Sequence, residues 1–243
     1  MIKFLKFINN KTLKIDIRIY FYIKVYFFSI FSYDKYNFYT NFFKYKKLSR
    51  SQIFQDILAI TLNGNLKKNY FVEFGAGDGK KFSNTYLLEK FYGWKGLLVE
   101  PAISLHKQLS KNRKVQISRF LLDNVDNKRK IFYETSDPYL SSIKKMKLNS
   151  SKYLVRTITL NSLLKKYNSP KKINYISIDT EGNEYEILKN FNFKKYKVRL
   201  FTIEHNFNSK KRKKIYHLMK KNSYTRIFKH LSYMDDWYFK DNF

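Results

Sequence analysis

The sequence predicts an α/β fold with an open, mainly parallel sheet and helices on both faces, for three reasons. An apolar run at 70–74 breaks into a glycine-rich turn at 75–79, which is typical of the link between a buried strand and a helix. Apolar runs then alternate with helix-like patterns along the chain, as a parallel sheet requires. Two short runs, at 225–228 and 237–239, predict an antiparallel pair that closes the sheet.

Residues 1–48 are dense in Phe, Tyr, Ile and Lys, and their secondary structure is ambiguous. Apolar side chains occupy every second position over 15–27, which favours a strand. Every fourth residue of the same range also forms an apolar stripe, which fits a helix: Ile15, Ile19, Ile23 and Phe27. Both interpretations stay open.

Membrane insertion and secretion are not expected for this segment. No apolar run approaches the roughly 18 residues of a membrane span. Asp16, Arg18 and Lys24 interrupt the stretch that a cleavable signal would need. We expect residues 1–48 to pack on the following domain, at 49–243, or to be partly disordered, and peripheral contact with an anionic membrane is the alternative. The predicted location is cytoplasmic, with membrane-peripheral attachment left open.

The first half of the domain shows an alternation of helix and strand patterns. Ser83 is a suitable N-cap and Gly93 a suitable stop for one helix. Gln52, Gln55 and Asp56 are interpreted as surface polar residues and caps. The predicted elements are a helix at 49–60, strands at 70–74, 97–100 and 115–122, and helices at 83–93 and 103–109.

The second half continues the alternation. The predicted elements are an extended run at 130–134, a turn at 137–139, helices at 159–167 and 210–221, strands at 173–178 and 199–203, and a helix through 187–188. Asp137-Pro138-Tyr139 looks like part of the Asp-Pro-Pro-Tyr motif of amino-methylating enzymes. It precedes the strand at 173–178 instead of following it, so methylation of a nitrogen is disfavoured.

The net charge of +30 gives only weak information about function. Such a charge suggests nucleic acid or an anionic membrane as a partner. However, the lysines are scattered through every segment, whereas a dedicated nucleic-acid face is usually clustered. Nucleic acid is therefore not expected as a specific partner, and an RNA-modifying enzyme is kept as an alternative. The absence of cysteine excludes disulfides and thiolate metal sites.

Polar residues follow the strands where a ligand would bind. In open α/β sheets ligands lie outside the carboxyl ends of the strands. The four such ends are the turn Gly75-Ala76-Gly77-Asp78-Gly79, Glu100, the pair Asp179 and Glu181, and Glu204-His205-Asn206. An acid about 20 residues after a glycine turn typically holds ribose hydroxyls, so Glu100 indicates an adenosine-type cofactor.

The sequence also resembles a known family, the FkbM S-adenosylmethionine-dependent methyltransferases. The segments that carry the resemblance are SQIFQDI (51–57), FVEFGAGDG (71–79), SNTYLLEKFYGWKGLLVEP (83–101), YLSSI (139–143), INYISIDTEGNEYEIL (173–188), TIEHN (202–206) and DDWY (235–238). They follow the family order over roughly 49–240, which is far more specific than one glycine turn. Residues 1–48 lie outside the resemblance.

The resemblance implies a class I methyltransferase (Rossmann-like) fold, a seven-stranded sheet with an antiparallel terminal strand. It also implies a cofactor site for S-adenosylmethionine. The loop under its methionine and ribose would be formed by Glu73, Gly75, Gly77 and Gly79, with Asp78 inside the same turn. Glu100 would hold the ribose hydroxyls, and Asp123 would lie near the adenine.

The same resemblance implies O-methylation of a hydroxyl on a sugar, glycan or small-molecule acceptor, with Asp179 and Glu181 facing the methyl donor and acceptor. His205 is the first expectation for the general base, because a neutral imidazole accepts a proton near pH 7. Glu181 and Asp179 are the alternatives. With Glu204 these acids would also suit Mg²⁺, but hydrogen bonding is the favoured role and no metal is predicted. A non-catalytic protein with this fold is the remaining alternative.

Overall fold

A computed structural model describes residues 16–31, 33–64, 66–141 and 150–243. The helices are α1 (Ile17–Phe31), α2 (Phe38–Tyr45), α3 (Gln55–Asn63), α4 (Tyr86–Tyr92), α5 (His106–Asn112), α6 (Leu160–Lys166), α7 (Glu184–Lys189) and α8 (Ser209–Lys221). The strands are β1 (Tyr70–Phe74), β2 (Lys95–Val99), β3 (Gln116–Ser118), β4 (Leu121–Leu122), β5 (Arg129–Thr135), β6 (Ser150–Ile158), β7 (Lys172–Ile178), β8 (Lys197–Glu204), β9 (Thr225–Ile227) and β10 (Asp235–Phe239). Short 3₁₀ turns lie at Ile103–Leu105 and Pro138–Leu140.

The main sheet has seven strands in the order β3-β2-β1-β7-β8-β10-β9. The pairs from β3 to β8 are parallel, and β10 is antiparallel to both β8 and β9. The predicted fold class, including the antiparallel terminal pair, is confirmed. This order places the carboxyl ends of β1, β2, β7 and β8 along one edge, where the polar residues of the sequence motifs follow the strands.

The predicted strand at 115–122 is wrong as a single element. Residues 116–118 pair with β2 in the main sheet, whereas 121–122 pair with β6 in a second, three-stranded sheet of order β4-β6-β5. The chain therefore passes from the main sheet to the small sheet between residues 118 and 121, and the apolar pattern does not predict this change. The strand β6 in this small sheet was not predicted, although β5 matches the predicted run at 130–134.

Each face of the main sheet carries its own hydrophobic core. Side chains alternate along β1, so that Phe71 belongs to one core while Val72 and Phe74 belong to the other. Helices α1 to α5 pack on the Phe71 side, and α6, α7 and α8 on the other. The sheet is therefore covered on both faces, which fits its mainly parallel pairing.

The N-terminal segment resolves into a helix that packs on the domain. Of α1, Phe21 and Val25 are fully buried and join the core that contains Trp237. The helical alternative is confirmed over 17–27, but Ile19 and Ile23 of the apolar stripe that suggested it are 56% and 38% exposed, so another face of the helix is buried. Ile15, the first residue of that stripe, lies outside the described residues. In the described part of the chain, no helix is long and apolar enough to cross a membrane. Peripheral membrane contact stays a prediction.

Two polar residues of the helix α3 were misassigned to the surface. Gln55 and Asp56 are 3% and 0% exposed. The amide of Gln55 donates to Asp235 Oδ2 over 2.9 Å, and Asp56 accepts from the hydroxyl of Ser49 over 2.7 Å. Burial raises the pKa of Asp56 to about 6. These contacts tie the start of the domain to the last strand, which explains why polar residues interrupt an apolar helix.

Candidate active site

The glycine turn lies directly against the end of β7. The N–H groups of Gly75 and Ala76 both donate to Val99 O, over 3.1 and 3.2 Å. Gly75 has a φ of +73°, and a Cβ at this position would lie 1.9 Å from the carbonyl oxygen of Asp179. Only glycine permits this approach, because it lacks a side chain and tolerates positive φ. The turn and the Asp179 segment are therefore packed backbone to backbone.

Glu100 fastens the same turn from the end of β2. Its Oε2 accepts from Gly77 N–H and its Oε1 from Ala102 N–H, both over 2.8 Å. The side chain is only 6% exposed. Burial raises the pKa of Glu100 to about 7, and the nearby charge of Glu134 contributes in the same direction. Each carboxylate oxygen keeps a lone pair for a further donor.

Tyr139 covers the glycine turn from the opposite side. A Cβ on Gly77 would lie 2.6 Å from Tyr139 Cε1, so this glycine too is required by close packing. The ring lies 6.0 Å from that of Phe82, and the Lys81 ammonium lies 4.9 Å from its centroid. The sequence motif YLSSI had marked Tyr139 only through the family resemblance. Residues 142 and 143 of that predicted loop lie outside the described residues.

A buried network around Glu73 and Arg113 supports the glycine turn. Glu73 does not face the cavity: it accepts from the hydroxyl of Ser83, the N–H of Asn84 and the hydroxyl of Thr85. Arg113 lies 3.6 Å from Glu73 Oε2 and is itself 3% exposed. The predicted role of Glu73 under the cofactor is thus indirect, through the loop that it holds.

Arg113 also reaches Gly79 and α4. It donates to Gly79 O and to Ser83 Oγ, each over 3.1 Å, and pairs with Glu89. Gly79 has a φ of +76° and packs against this arginine, and Asp78 Oδ1 accepts from the N–H groups of Lys80 and Lys81. Gly79 and Asp78 therefore shape the turn without lining the cavity. Sequence reasoning missed Arg113, because nothing distinguishes it among 49 basic residues.

Three carboxylates converge at the ends of β7 and β8. Asp179, Glu181 and Glu204 each place a carboxylate oxygen within 4.8 Å of the others. Glu204 is buried, and the other two are half-buried. Burial and the like charges of neighbouring acids raise the pKa of Asp179 well above its usual range and that of Glu204 to about 10. The structure brings these three predicted residues together.

The loop that carries Glu181 is held in an unusual conformation. Glu181 has a φ of +54°, which is rare for a residue with a side chain, and Gly182 follows at +117°. Glu184, fully buried, accepts from the N–H groups of Thr180 and Gly182 and pairs with Lys211 over 2.8 Å. These contacts hold Glu181 towards the cavity. Strain of this kind is common at functional sites.

His205 is not placed to act as a base. The ring is 1% exposed, its Nε2 donates to Asp235 O over 3.1 Å, and its Nδ1 accepts from Phe207 N–H over 3.1 Å. Burial lowers the pKa of His205 to about 4. Both nitrogens are thus engaged by the backbone, outside the cavity lining. The geometry assigns His205 to holding the segment that follows Glu204.

Asp123 lies beyond the cavity as well. Its N–H donates to Ile158 O over 3.0 Å, and its buried carboxylate pairs with Lys130 of β5. The displacement follows from the change of sheets after β3, because Asp123 belongs to the small sheet. Its predicted adenine contact therefore finds no support in this position. The residues just before it, Phe120, Leu121 and Leu122, do line the cavity.

A single cavity of about 300 Å³ joins these features. Of the predicted site residues it is lined by Gly75, Gly77, Glu100, Asp179 and Glu181. Further lining residues include Gln52, Asn84, Tyr139, Asn183, Glu204 and Asn206. The amide of Asn183 donates to Leu122 O and that of Asn84 to Ser177 Oγ, so both are fixed. The cavity thus runs from the glycine turn to the three acids.

Comparison with protein families identifies the family of the chain that forms this cavity. The Methyltransferase FkbM domain matches residues 73–238, more than half of the 243-residue chain. The chain belongs to the FkbM methyltransferase family. The predicted resemblance is confirmed, and with it the coarser prediction of a methyltransferase. Comparison with curated proteins finds no match.

Among solved structures, a precorrin-6y C5,15-methyltransferase from Geobacter metallireducens GS-15 is similar over 74% of this chain and 75% of its own. The sequence identity is 11% and the TM-score is 0.43.

Proposed function

We propose that this FkbM-family protein is an S-adenosylmethionine-dependent methyltransferase that methylates a hydroxyl of a sugar, glycan or small molecule. One observation carries the proposal: the glycine turn, Glu100 and the three carboxylates line one and the same cavity. The glycine turn and Glu100 suit an adenosine cofactor, and the carboxylates suit a hydroxyl acceptor. Their adjacency is what a transfer between the two requires.

The cofactor end offers the groups that a nucleoside needs. Glu100 has spare lone pairs beside the turn and would accept from the two ribose hydroxyls. Val99, Phe120 and Leu122 form an apolar wall beside it, which suits a flat heteroaromatic base. When bound, S-adenosylmethionine would supply a methyl group on a positively charged sulfur, and the rest of the cofactor would be the leaving group, a neutral thioether.

The acids beside the acceptor can accept a proton, whereas the imidazole of His205 does not line the cavity. A carboxylate of Asp179 or Glu181 would accept the hydrogen bond, and then the proton, of the acceptor hydroxyl. The amides of Asn183 and Asn206 line the same region and would orient further hydroxyls of a sugar-like acceptor. In this proposal His205 positions Glu204 and does not take the proton.

The proposal is tested by binding of S-adenosylhomocysteine, measured by calorimetry. Glu100→Ala is expected to weaken binding by about 10- to 150-fold, because a hydrogen bond to a charged group is worth about 1.5–3 kcal/mol. Glu134→Gln is the control: it removes a nearby negative charge that lies outside the cavity lining. We expect it to change the affinity by less than about threefold. No binding by the wild type, or equal binding by Glu100→Ala, would refute the proposal.

The affinity for S-adenosylhomocysteine should rise with pH. The pKa of Glu100 lies at about 7, so the carboxyl is neutral below this pH and becomes a stronger acceptor for hydroxyls above it. The ionised fraction changes about tenfold between pH 6 and pH 8, and the affinity should follow it. Burial keeps the pKa of Glu100 raised, and the charges of Glu134 and Glu73 act in the same direction. A Glu100→Gln variant should show a flatter profile, and a wild-type affinity that falls with rising pH would contradict the assignment.

A further inference from the structure

The three carboxylates at the cavity floor lack a compensating cation. In the described part of the chain, no Lys, Arg or His nitrogen lies within 4.0 Å of a carboxylate oxygen of Asp179, Glu181 or Glu204. This is unexpected in a chain of net charge +30. The charge of Lys211 acts on Glu181, but its ammonium pairs directly with Glu184 over 2.8 Å. The cluster is thus an acidic site inside a basic protein.

A second observation points to a ligand at this place. Glu204 is 7% exposed, and its Oε2 has no hydrogen-bond partner among the described residues. A buried carboxylate oxygen without a hydrogen-bond donor is unfavourable, and more so when the group is charged. The neighbouring acid Asp235, by contrast, is satisfied by the amide of Gln55 over 2.9 Å.

We propose that Asp179, Glu181 and Glu204 bind a hard divalent cation such as Mg²⁺ or Mn²⁺. Oxygen atoms on opposite sides of an octahedral Mg²⁺ lie roughly 4.2 Å apart, and around Ca²⁺ roughly 4.8 Å apart. The carboxylate oxygens of the cluster lie within 4.8 Å of one another, so one ion reaches all three with little movement. The ligand set is oxygen alone, which excludes the softer metals that select nitrogen or sulfur.

The cation would also define the acceptor, and this step rests on the proposed function. Three protein ligands leave about three positions of an octahedral ion for water or acceptor oxygens. All three acids line the cavity, so those positions face the place of the acceptor. An acceptor with two adjacent hydroxyls, as on a sugar ring, would replace two waters together. The ion would lower the pKa of the bound hydroxyl, which supports the same proton loss that the carboxylates promote.

Cation binding is tested on the full chain with Mn²⁺, whose free and bound forms are separated by electron paramagnetic resonance at constant ionic strength. The wild type is expected to bind one Mn²⁺, which excess Mg²⁺ displaces. Glu204→Gln and Glu181→Gln should each weaken this binding by about a hundredfold, since even outer-shell changes cost 10- to 100-fold. Glu186→Gln is the control, because Glu186 is an acid of α7 that pairs with Lys189 outside the cavity.

Folding of each variant is checked by thermal unfolding without metal. Replacing one of three mutually repelling acids should leave the midpoint unchanged or raise it, so a loss of Mn²⁺ cannot be ascribed to unfolding. Absence of saturable Mn²⁺ binding by the wild type, or equal binding by Glu204→Gln and the wild type, overturns the inference. Binding of S-adenosylhomocysteine is measured on the same samples without metal. It separates failure of the cation site from failure of the proposed function.

Discussion

Arg113→Met is expected to lower the free energy of unfolding by about 3–5 kcal/mol, because it leaves the buried carboxylate of Glu73 without its cation. It also removes the donors to Gly79 O and Thr85 Oγ1, which join the glycine turn to α4. Urea unfolding followed by circular dichroism measures the loss. The matched control is Lys111, an exposed basic residue of α5 that lies close to Arg113 in the sequence. Lys111→Met should change the free energy of unfolding by less than about 0.5 kcal/mol.

A second substitution shows whether this loss of stability comes from the unpaired charge or from the lost packing. If the cost comes from the uncompensated charge of Glu73, adding Glu73→Gln to Arg113→Met should recover part of it, since the double variant no longer buries that charge without a cation. Glu89, the other partner of Arg113, keeps Lys90 at 3.7 Å in both variants. If the cost comes from lost packing of the arginine alone, the two substitutions should add. A loss below about 1 kcal/mol for Arg113→Met would show that the network is not needed to hold the turn.

The features predicted from the sequence are those with a local pattern. The glycine turn, the strand before it and Glu100 lie within 31 residues of one another (70–100), and a glycine turn followed by an acid has a direct physical meaning. The ends of β7 and β8 were found in the same way, because polar residues follow apolar runs. The alternation of elements then placed all of these ends at one edge of the sheet, which the strand order confirms.

The features that were missed depend on tertiary contacts. The residues of α1 alternate between apolar positions and tyrosines, so either face could be buried, and packing against Trp237 selects Phe21 and Val25. The change of sheets after β3 is set by pairing with β6, a strand about 30 residues later. It carries Asp123 away from the cavity. No local pattern reports such a pairing.

The role of His205, a single side chain, also depends on tertiary contacts that the sequence does not show. Its residue type and its place after β8 suggested a base. Its actual role depends on which groups surround the ring: Asp235 O from β10 and Phe207 N–H from the following turn occupy both nitrogens. Glu100 and the three acids, by contrast, line the cavity, so their roles stay predictions that the position allows.

Gly75→Ala should destabilise the protein strongly, because the glycine turn lies against the backbone of Asp179. The added Cβ would lie 1.9 Å from the carbonyl oxygen of Asp179, far inside van der Waals contact, and the φ of +73° adds strain for any L side chain. Backbone strain of roughly 1–2 kcal/mol and overpacking of roughly 1–3 kcal/mol together give a loss of about 2–5 kcal/mol in unfolding free energy.

Gly64→Ala separates the two contributions. Gly64 has a similar φ of +68°, but no atom lies within 4 Å of an added Cβ, so this variant should show only the backbone strain. Relief of the overlap at Gly75 requires β1 and β7 to move apart at their ends, which breaks the bond from Asp179 N–H to Phe74 O. Gly75→Ala should therefore also weaken binding of S-adenosylhomocysteine, whereas Gly64→Ala should not. Equal losses of stability and affinity in the two variants would show that the close approach of the turn to Asp179 does not determine the site.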